Sequence, residues 1–164
     1  MATIENVRII TALMGAHKGT KEINTPTTML DFAPNSSYSY GTGNNQINKI
    51  WQQERTVTAA AENLDLAGVL VDDFGNTLTF TLVNFIIIAN LSETALEVLT
   101  ITGSFCNAIF AAGGTYVDTI GPSGHWAKDN PIDGYAVTAT TADIITVNPG
   151  AATITYRVAI GGLA

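Results

Sequence analysis

The sequence predicts an all-β protein built as a single antiparallel β-sandwich. Short apolar segments of about five residues recur roughly every eight to twelve residues in the later part of the chain, a spacing typical of sandwiches and barrels. Gly, Pro and Asn separate these segments, as expected for turns. A chain of 164 residues is long enough for one core that hides roughly 70% of the unfolded surface, so we expect one domain.

The first part of the chain is predicted to hold one strand followed by irregular chain. Residues 3–14 mix Ile, Val and Leu with polar residues and are interpreted as a strand, which the glycine-flanked segment 15–19 ends. Turn-forming residues are dense between positions 24 and 48, which argues against regular structure there. We therefore divide the chain into residues 1–46, a strand plus an irregular arm or loops, and residues 47–164, the sandwich body, within one folding unit.

The segment 50–59 has a length that permits either a strand or a helix. Thr56, Val57 and Thr58 form a β-branched cluster, and no apolar stripe recurs at three-to-four spacing. We therefore predict a strand that carries Trp51 on one face.

Residues 64–90 are predicted to form a β-hairpin that leads into a core strand. A Leu- and Val-rich arm meets turn formers at positions 72–76, where Asp and Asn side chains can bond to nearby backbone and Gly75 accepts a positive φ. Polar and apolar residues alternate over 78–82, the period of a strand with one wet face. The run 85–88 is the most apolar of the sequence, and we expect Leu66 and residues 86–88 to be buried.

Further strands are predicted after this hairpin. They are the segments 95–102, 108–111, 115–120, 135–140, 144–147 and 153–160. The last one alternates most cleanly, because Ile154, Tyr156, Val158 and Ile160 share one face. We expect that face to lie against the core.

Composition limits the partners and the compartment. Seven basic against fourteen acidic side chains give a net charge of −7, so the basic footprint of a nucleic-acid-binding or membrane-surface protein is missing and we expect neither partner. The lone Cys106 permits no intrachain disulfide and is predicted to be a small buried hydrophobe. The first residues lack the pattern of a secretory signal, so we expect a protein made in the cytoplasm. The apolar run at 85–88 is far shorter than the roughly twenty residues that cross a bilayer.

Residues capable of chemistry do not group at a useful spacing. The sequence therefore predicts no catalytic, cofactor-binding or metal-binding residue, no cofactor and no enzyme. His17 and His125 each lack a second His or Cys at the spacing of a metal site. Asp72 and Asp73 are assigned to a turn, because the alternating oxygen ligands and closing glutamate of a calcium loop are missing.

Three other patterns resemble active-site motifs without completing them. Asp129 and Asp133 are spaced like a carboxylate pair, but a Pro-containing turn accounts for them. The Gly-Thr-Gly at 41–43 has no following Lys and no helix start, both of which a phosphate loop needs. Ser104 and Ser123 have Gly neighbours but no strand-to-helix turn and no evident base.

The aromatic residues allow two interpretations. Aromatic faces combine apolar area with a polar edge and can form a sugar-binding platform, although packing in a core or an interface is the favoured alternative. The residues concerned are Trp51, Trp126, Tyr38, Tyr40, Tyr116 and Tyr135.

Several short motifs occur together from position 41 onward. They are Gly41-Thr42-Gly43-Asn44-Asn45-Gln46, Trp51, Arg55, Leu64-Asp65-Leu66-Ala67-Gly68, Asp73-Phe74-Gly75, Thr79-Phe80-Thr81, Gly134-Tyr135-Ala136-Val137-Thr138-Ala139 and Thr155-Tyr156. In these residues the chain resembles small structural proteins of tailed bacteriophages, in particular the jelly-roll decoration or cement proteins of the phage head.

The resemblance implies a jelly-roll sandwich and a non-enzymatic protein of the virion. Such a protein binds the outer surface of the capsid, contacts the major capsid protein, clamps neighbouring subunits and assembles as a homotrimer. Residues 4–40 are the predicted arm that reaches neighbours. Two alternatives stay open: a phage tail or receptor-binding component or jelly-roll coat protein and, from another class, a carbohydrate-binding module that uses the tyrosines and Trp126.

Overall fold

The computed structural model describes residues 4, 7–10, 12–18, 27–72 and 74–164, and it describes the backbone alone for 13–18 and 27–32. Within these residues the chain is mostly extended and contains one short helix, which confirms the all-β prediction. The elements are β1 (Val7–Ile10), β2 (Leu13–Lys18), β3 (Thr27–Phe32), β4 (Asn35–Tyr40), β5 (Gln46–Ile47), β6 (Lys49–Thr58), β7 (Glu62–Asp65), β8 (Leu70–Val71), β9 (Thr77–Leu78), β10 (Leu82–Asn90), β11 (Leu99–Thr102), α1 (Ser104–Phe110), β12 (Asp118–Ile120), β13 (His125–Asp129), β14 (Tyr135–Ala136), β15 (Ile144–Asn148) and β16 (Thr153–Leu163).

Two antiparallel sheets form the body in jelly-roll order. The first sheet runs β6-β16-β10-β13, with β14 also paired to β10, and the second runs β7-β15-β11-β12. The chain crosses between the sheets from β6 to β7, from β10 to β11, from β12 to β13 and from β15 to β16. This connectivity is the double Greek key of a jelly roll, so the predicted sandwich is confirmed together with its topology.

The core lies between the two sheets and takes alternate residues from the long strands. β6 is a strand, as predicted, and buries Trp51 and Val57 on its inner face. β16 buries Ile154 and Tyr156, as the alternation of its sequence predicts, and runs beside β6 along ten paired residues. On the opposite face of β16, Gly161 lies against the Phe85 ring, where a Cβ atom would collide.

The predicted hairpin within residues 64–90 exists as a short ladder. β8 and β9 pair antiparallel, and the Asp72 carboxylate accepts hydrogen bonds from the amides of Phe74 at 2.9 Å and Asn76 at 2.8 Å. Leu78 and Phe80 are buried while the threonines between and beside them are exposed, so the predicted alternation is present although β9 ends at Leu78. Asp73 lies outside the described residues.

The apolar run in β10 is buried only in part. Leu66, Ile86 and Ile88 are fully buried, as predicted, but Ile87 is half-buried on the outer face of the first sheet. The reason is the two-residue period of a strand, which turns every second side chain away from the core even in an uninterrupted apolar run. The expectation that Ile87 lies in the core is therefore wrong.

Two later segments differ from their predicted structure. The predicted strand at 108–111 is part of α1, where Phe105, Cys106, Ile109 and Phe110 repeat at four-residue spacing and bury one helix face. β13 was not predicted, because its inner face carries Lys128 beside Trp126 and so breaks the apolar alternation. The other predicted strands exist with shorter or slightly longer bounds.

The N-terminal region contains more strand than its composition predicts. β1 lies within the predicted strand, but β2 continues to Lys18, past the glycine expected to end it. β3 and β4 occupy positions where irregular chain was expected, and in β4 only Tyr38 is buried. Ser and Asn are tolerated in a strand whose other residues face solvent, so among the described residues of the predicted irregular segment the chain outside strands is limited to 33–34, 41–45 and 48. The division of the chain at residue 46 stays a prediction.

Candidate functional site

The outer face of the first sheet carries the features that suit contact with another molecule. Strands β1, β4 and β5 form a layer, the N-terminal sheet, at one end of this face. Tyr38 and Ile47 cover Phe85 there, and the ring centroids of Tyr38 and Phe85 are 5.4 Å apart. The body alone would leave Phe85 exposed, so the N-terminal sheet is a second, smaller apolar layer of the fold.

Polar contacts hold the N-terminal sheet on the body. The Ser36 hydroxyl donates a hydrogen bond to the Asp129 carboxylate, and the Tyr38 hydroxyl donates to the Asn84 carbonyl at 3.3 Å. Burial, followed by the negative charge of Asp129, raises the pKa of Tyr38 above its ordinary value. The hydroxyl therefore stays a hydrogen-bond donor at any physiological pH.

An open cleft of about 590 Å³ lies on the same face, directly beside the N-terminal sheet, since Ala159 lines the cleft and also packs against the cluster of Tyr38, Ile47 and Phe85. We call it the outer cleft. Its lining consists of Gln52, Gln53, Glu54, Ile87, Ala89, Arg157, Val158 and Ala159, from β6, β10 and β16.

The outer cleft combines an apolar floor with a charged rim. Ile87, Ala89 and Ala159 supply apolar side chains, while the Arg157 guanidinium donates to the Glu54 carboxylate at 2.8 Å and both groups are more than half exposed. The charges cancel locally. Such a surface suits an apolar stretch of polypeptide that carries few charges.

The sandwich has an open edge on each side, and an ion pair bridges the two sheets at the first one. Where β6 and β7 end their sheets, the Arg55 guanidinium donates from Nε to Glu62 Oε1 at 2.8 Å, and the Tyr156 hydroxyl donates to Glu62 Oε2 at 2.7 Å. Burial acts to raise the pKa of Glu62, but the hydrogen bonds from Arg55 and Tyr156 outweigh it and lower the pKa below its ordinary value. We call these three residues the ionic edge.

The second open edge, between β12 and β13, is closed by rings. Phe110 packs against Tyr116 and Tyr135 with centroid distances of 5.2 and 5.3 Å, and edge-on against Trp126 at 6.0 Å. The Lys128 ammonium lies 5.4 Å from the Phe110 centroid and 6.0 Å from that of Trp126. We call these five residues the aromatic edge.

The predicted aromatic candidates are divided between the core, the aromatic edge and the N-terminal sheet. Trp51, Trp126 and Tyr38 are buried, and the Trp126 indole N–H donates to the Tyr116 hydroxyl at 3.1 Å. Of the six aromatic candidates, only Tyr40 is more than half exposed. The favoured interpretation, packing in a core or interface, therefore describes Trp51 and Trp126. Neither tryptophan is exposed enough to form part of a sugar-binding platform.

The candidate titratable residues are not brought together. His125 is exposed in β13, and the side chain of His17 lies outside the described part of the molecule. Hydrogen bonds, first of all from the Asn76 amide, lower the pKa of Asp72, which acts as the turn acceptor that the sequence predicts. Within the described ranges, no three His, Cys, Asp or Glu side chains converge as a metal site requires.

Asp129 and Asp133 have separate structural roles. Asp129 ends β13 and accepts the hydrogen bond from Ser36, whereas the Asp133 amide donates to Asn130 Oδ1 at 3.2 Å within a turn. The predicted Pro-containing turn accounts for Asp133.

The remaining motifs are also engaged in the fold. The Gly43 amide donates to Gln46 Oε1 at 2.8 Å, so the amide of this glycine segment bonds to the side chain of a nearby residue. Ser104 begins α1 one residue after β11 ends, so the expectation that it does not stand at a strand-to-helix turn is wrong. Its Oγ accepts a hydrogen bond from the Ile144 amide at 3.1 Å, and the Ser123 amide donates to the Ser92 carbonyl at 2.8 Å. Cys106 is fully buried, which confirms its prediction, and burial raises its pKa to about 12.

Sequence reasoning missed the outer cleft and both edge clusters. Ile87 was assigned to the core, so the face that it shares with Ala89 and Ala159 was not recognised as surface. The strict alternation of β16 already placed Arg157 and Ala159 opposite the core face. The sequence did not show that β6 and β10 pair with β16, one on each side of it.

Comparison with known proteins gives no matching family model, no matching curated protein and no matching solved structure. Over the residues that the structure describes, no helix has the length and apolar character needed to cross a membrane.

Proposed function

We propose that the chain is a non-enzymatic virion structural protein that binds the outer surface of a phage capsid and stabilises contacts between capsid subunits. The jelly-roll order of the body carries the proposal, because this topology recurs in viral capsid proteins. The topology also occurs in lectins and cupins, and fold alone does not determine function. The motif resemblance to head decoration proteins favours the capsid role over these.

The filled interior supports a structural role. Trp51, Phe80 and Tyr156 are each at most 2% exposed and occupy the space between the two sheets. A jelly roll that holds a ligand between its sheets needs a cavity there, and in this chain side chains fill that space. The net charge of −7 suits a surface that faces away from packaged DNA.

The β8–β9 hairpin offers the best described contact with a capsid. Phe74 is 75% exposed and Val69 64% exposed, and the Asp72 carboxylate fixes the turn between the strands. An aromatic side chain on an ordered turn loses little conformational freedom on binding, which is typical of residues that dominate interfaces. The apolar area of Phe74 would then be buried between the chain and the major capsid protein.

The test uses particles of the phage whose genome encodes the chain, prepared without the protein. Purified chain is added, and binding is measured by co-sedimentation and by the temperature at which particles release DNA. We expect saturable binding and a raised release temperature. Phe74→Ser should weaken both, whereas Leu96→Ser, a matched change at a residue 93% exposed in the β10–β11 connection, should change neither.

Two results would count against the proposal at different levels. If the unmodified chain fails to bind particles, the decoration role is wrong. If Phe74→Ser binds as tightly as the unmodified chain, the role survives and the contact through the β8–β9 hairpin is wrong.

A further inference from the structure

We propose that copies of this chain exchange the part that runs from β1 through β4, which we call the N-terminal segment. The segment of one copy then covers Phe85 of the next copy, in place of that copy's own segment. The occupant is a second copy of the chain, and the proposal stands whether or not the protein decorates a capsid. It rests on the short connection between β4 and β5 and on the contacts that hold the segment to the body.

The connection between β4 and β5 is short for the geometry that it has to make. The two strands lie side by side and run parallel, with Ser39 opposite Gln46 and Tyr40 opposite Ile47. A connection between parallel neighbours has to reverse the chain twice, and it normally takes about a dozen residues or more. Here residues 41–45 make both reversals.

Both ends of this connection have a strained backbone. Gly41 has a φ of 153°, and a Cβ atom there would overlap the side chain of Gln46. Asn45 has a φ of 57°, a left-handed conformation that costs free energy for a residue with a side chain. The chain needs these conformations in order to turn back and place β4 beside the β5 of the same copy. Short connections under strain favour exchange of the segments that they join.

The segment can make the same contacts on another copy as on its own body. The Ser36 hydroxyl donates to the Asp129 carboxylate, the Tyr38 ring packs against Phe85, and the Tyr38 hydroxyl donates to the Asn84 carbonyl. Each of these contacts joins β4 to the body, and none involves the connection. Exchange of an identical element keeps all of them, which makes it a low-cost route to an oligomer.

Opening the connection costs little. The Gly43 amide donates to Gln46 Oε1 in an exposed position, where water can replace the lost bond at a small net cost. The buried residues at the contact are Tyr38, Ile47 and Phe85, a cluster separate from the main core between the two sheets. The segment can therefore leave its own body while that core stays intact.

The length of the connection limits how the copies are arranged. When extended, residues 41–45 span at most roughly 20 Å, so exchanging copies must bring their Phe85 surfaces within about that distance of each other. Exchange from each copy to the next closes a ring when the rotation between copies permits it. The homotrimer expected from the sequence is one such ring, and the N-terminal segment is then the predicted arm that reaches neighbours.

The first test changes the length of the connection. Deleting residues 42–44 leaves Gly41 and Asn45, which are too few to reverse the chain twice, so the segment cannot return to its own body. Inserting Gly-Ser-Gly-Ser-Gly-Ser after Gly43 gives the chain room to return without strain. The same insertion after Gly113, in another exposed turn, is the matched control.

Sedimentation velocity over a range of concentrations gives the readout. We expect the unmodified chain and the control insertion to form the same oligomer as concentration rises. The deletion variant should be oligomeric at every concentration tested. The insertion in the β4–β5 connection should weaken association about tenfold, because it relieves the strain of the closed chain.

The second test identifies which chain supplies the segment. Ser36 and Asp129 are each replaced by Cys in one chain, and a short bismaleimide joins thiols at these neighbouring positions. The native Cys106 is fully buried and should not react. Exchange predicts cross-linked species larger than one chain on a denaturing gel, whereas a closed chain is cross-linked only within itself. Each single Cys variant is a control and should give no cross-link at this contact.

Three results would overturn segment exchange. They are an unmodified chain that is monomeric at all concentrations, a deletion variant that is a folded monomer, and an oligomer in which every cross-link stays within one chain. Circular dichroism checks that each variant is folded. If the deletion variant does not fold, equal association of the two insertion variants would overturn the proposal in its place.

Discussion

The two open edges of the sandwich each contain an edge strand that could pair with another chain, and different side chains protect each one. At each one an edge strand of the first sheet turns a cation inward: Arg55 on β6 and Lys128 on β13. Inward-pointing charges are one way in which β-proteins prevent edge strands from pairing with other chains. At the ionic edge a carboxylate neutralises the cation, and at the aromatic edge the cation lies over two aromatic rings.

This difference separates what each edge contributes to stability. The ionic edge depends on a charged carboxylate, so its contribution depends on pH. The aromatic edge depends mainly on buried ring area, so its contribution should be nearly constant across the same pH range. The following predictions test this contrast, beginning with the largest expected effect.

Trp126→Ala should destabilise the protein most. The side chain is 5% exposed, and truncating a buried Trp typically costs about 3–5 kcal/mol through lost burial and the cavity left behind. Urea unfolding at neutral pH measures the change. Tyr40→Ala, at a residue 51% exposed, is the control and should cost less than about 0.5 kcal/mol. A Trp126→Ala loss as small as that of Tyr40→Ala would mean that rings do not close this edge.

Arg55→Met should have an intermediate effect. The change keeps much of the apolar stem but leaves the Glu62 carboxylate with Tyr156 as its remaining described partner, which should cost about 1–3 kcal/mol at neutral pH. Arg157→Met is the matched control, since Arg157 pairs with Glu54 in an exposed salt bridge of the kind that is worth at most about 1 kcal/mol. Equal losses in the two variants would contradict a special role for the ionic edge.

Acid should weaken the ionic edge selectively. Because the folded pKa of Glu62 is lower than its ordinary value, the pair stabilises the protein above the unfolded pKa, and this stability is lost as pH falls through the folded pKa. Unfolding free energies measured from pH 7 down to pH 3 should therefore fall less steeply for Glu62→Gln than for the unmodified chain. Trp126→Ala should keep the unmodified slope. A Glu62→Gln curve parallel to that of the unmodified chain would refute the assignment.

Lys128→Met should have the smallest effect on stability. The ammonium over the Phe110 and Trp126 rings is worth about 0.5–1 kcal/mol, and Met retains most of the apolar contact. Because the inward charge is lost, the variant should aggregate more readily than the unmodified chain, which light scattering during storage would detect. If aggregation is unchanged, Lys128 does not protect the edge.

The sequence predicted strands best where both faces followed a simple rule. The alternation in β16 and the β-branched cluster in β6 identified the two longest strands of the first sheet and the burial of Trp51 and Tyr156. β13 was missed because Lys128 stands where an apolar residue was expected. α1 is too short for its four-residue spacing to be distinguished from a strand.

The candidate sites were less predictable because they depend on pairing. Tyr156 and Glu62 are 94 positions apart, and only the order of strands in the two sheets brings them together. The aromatic edge likewise takes its residues from α1, β13, β14 and the segment before β12. Ile87 shows the converse, since its sequence context indicates a core residue and its strand register places it on the surface.

Cryo-electron microscopy of the phage particle tests the proposed function most directly. We expect jelly-roll density of this size outside a separate, continuous capsid lattice, with contacts to more than one capsid subunit. A chain that forms the lattice itself, lies in the tail or is missing from the particle would contradict it.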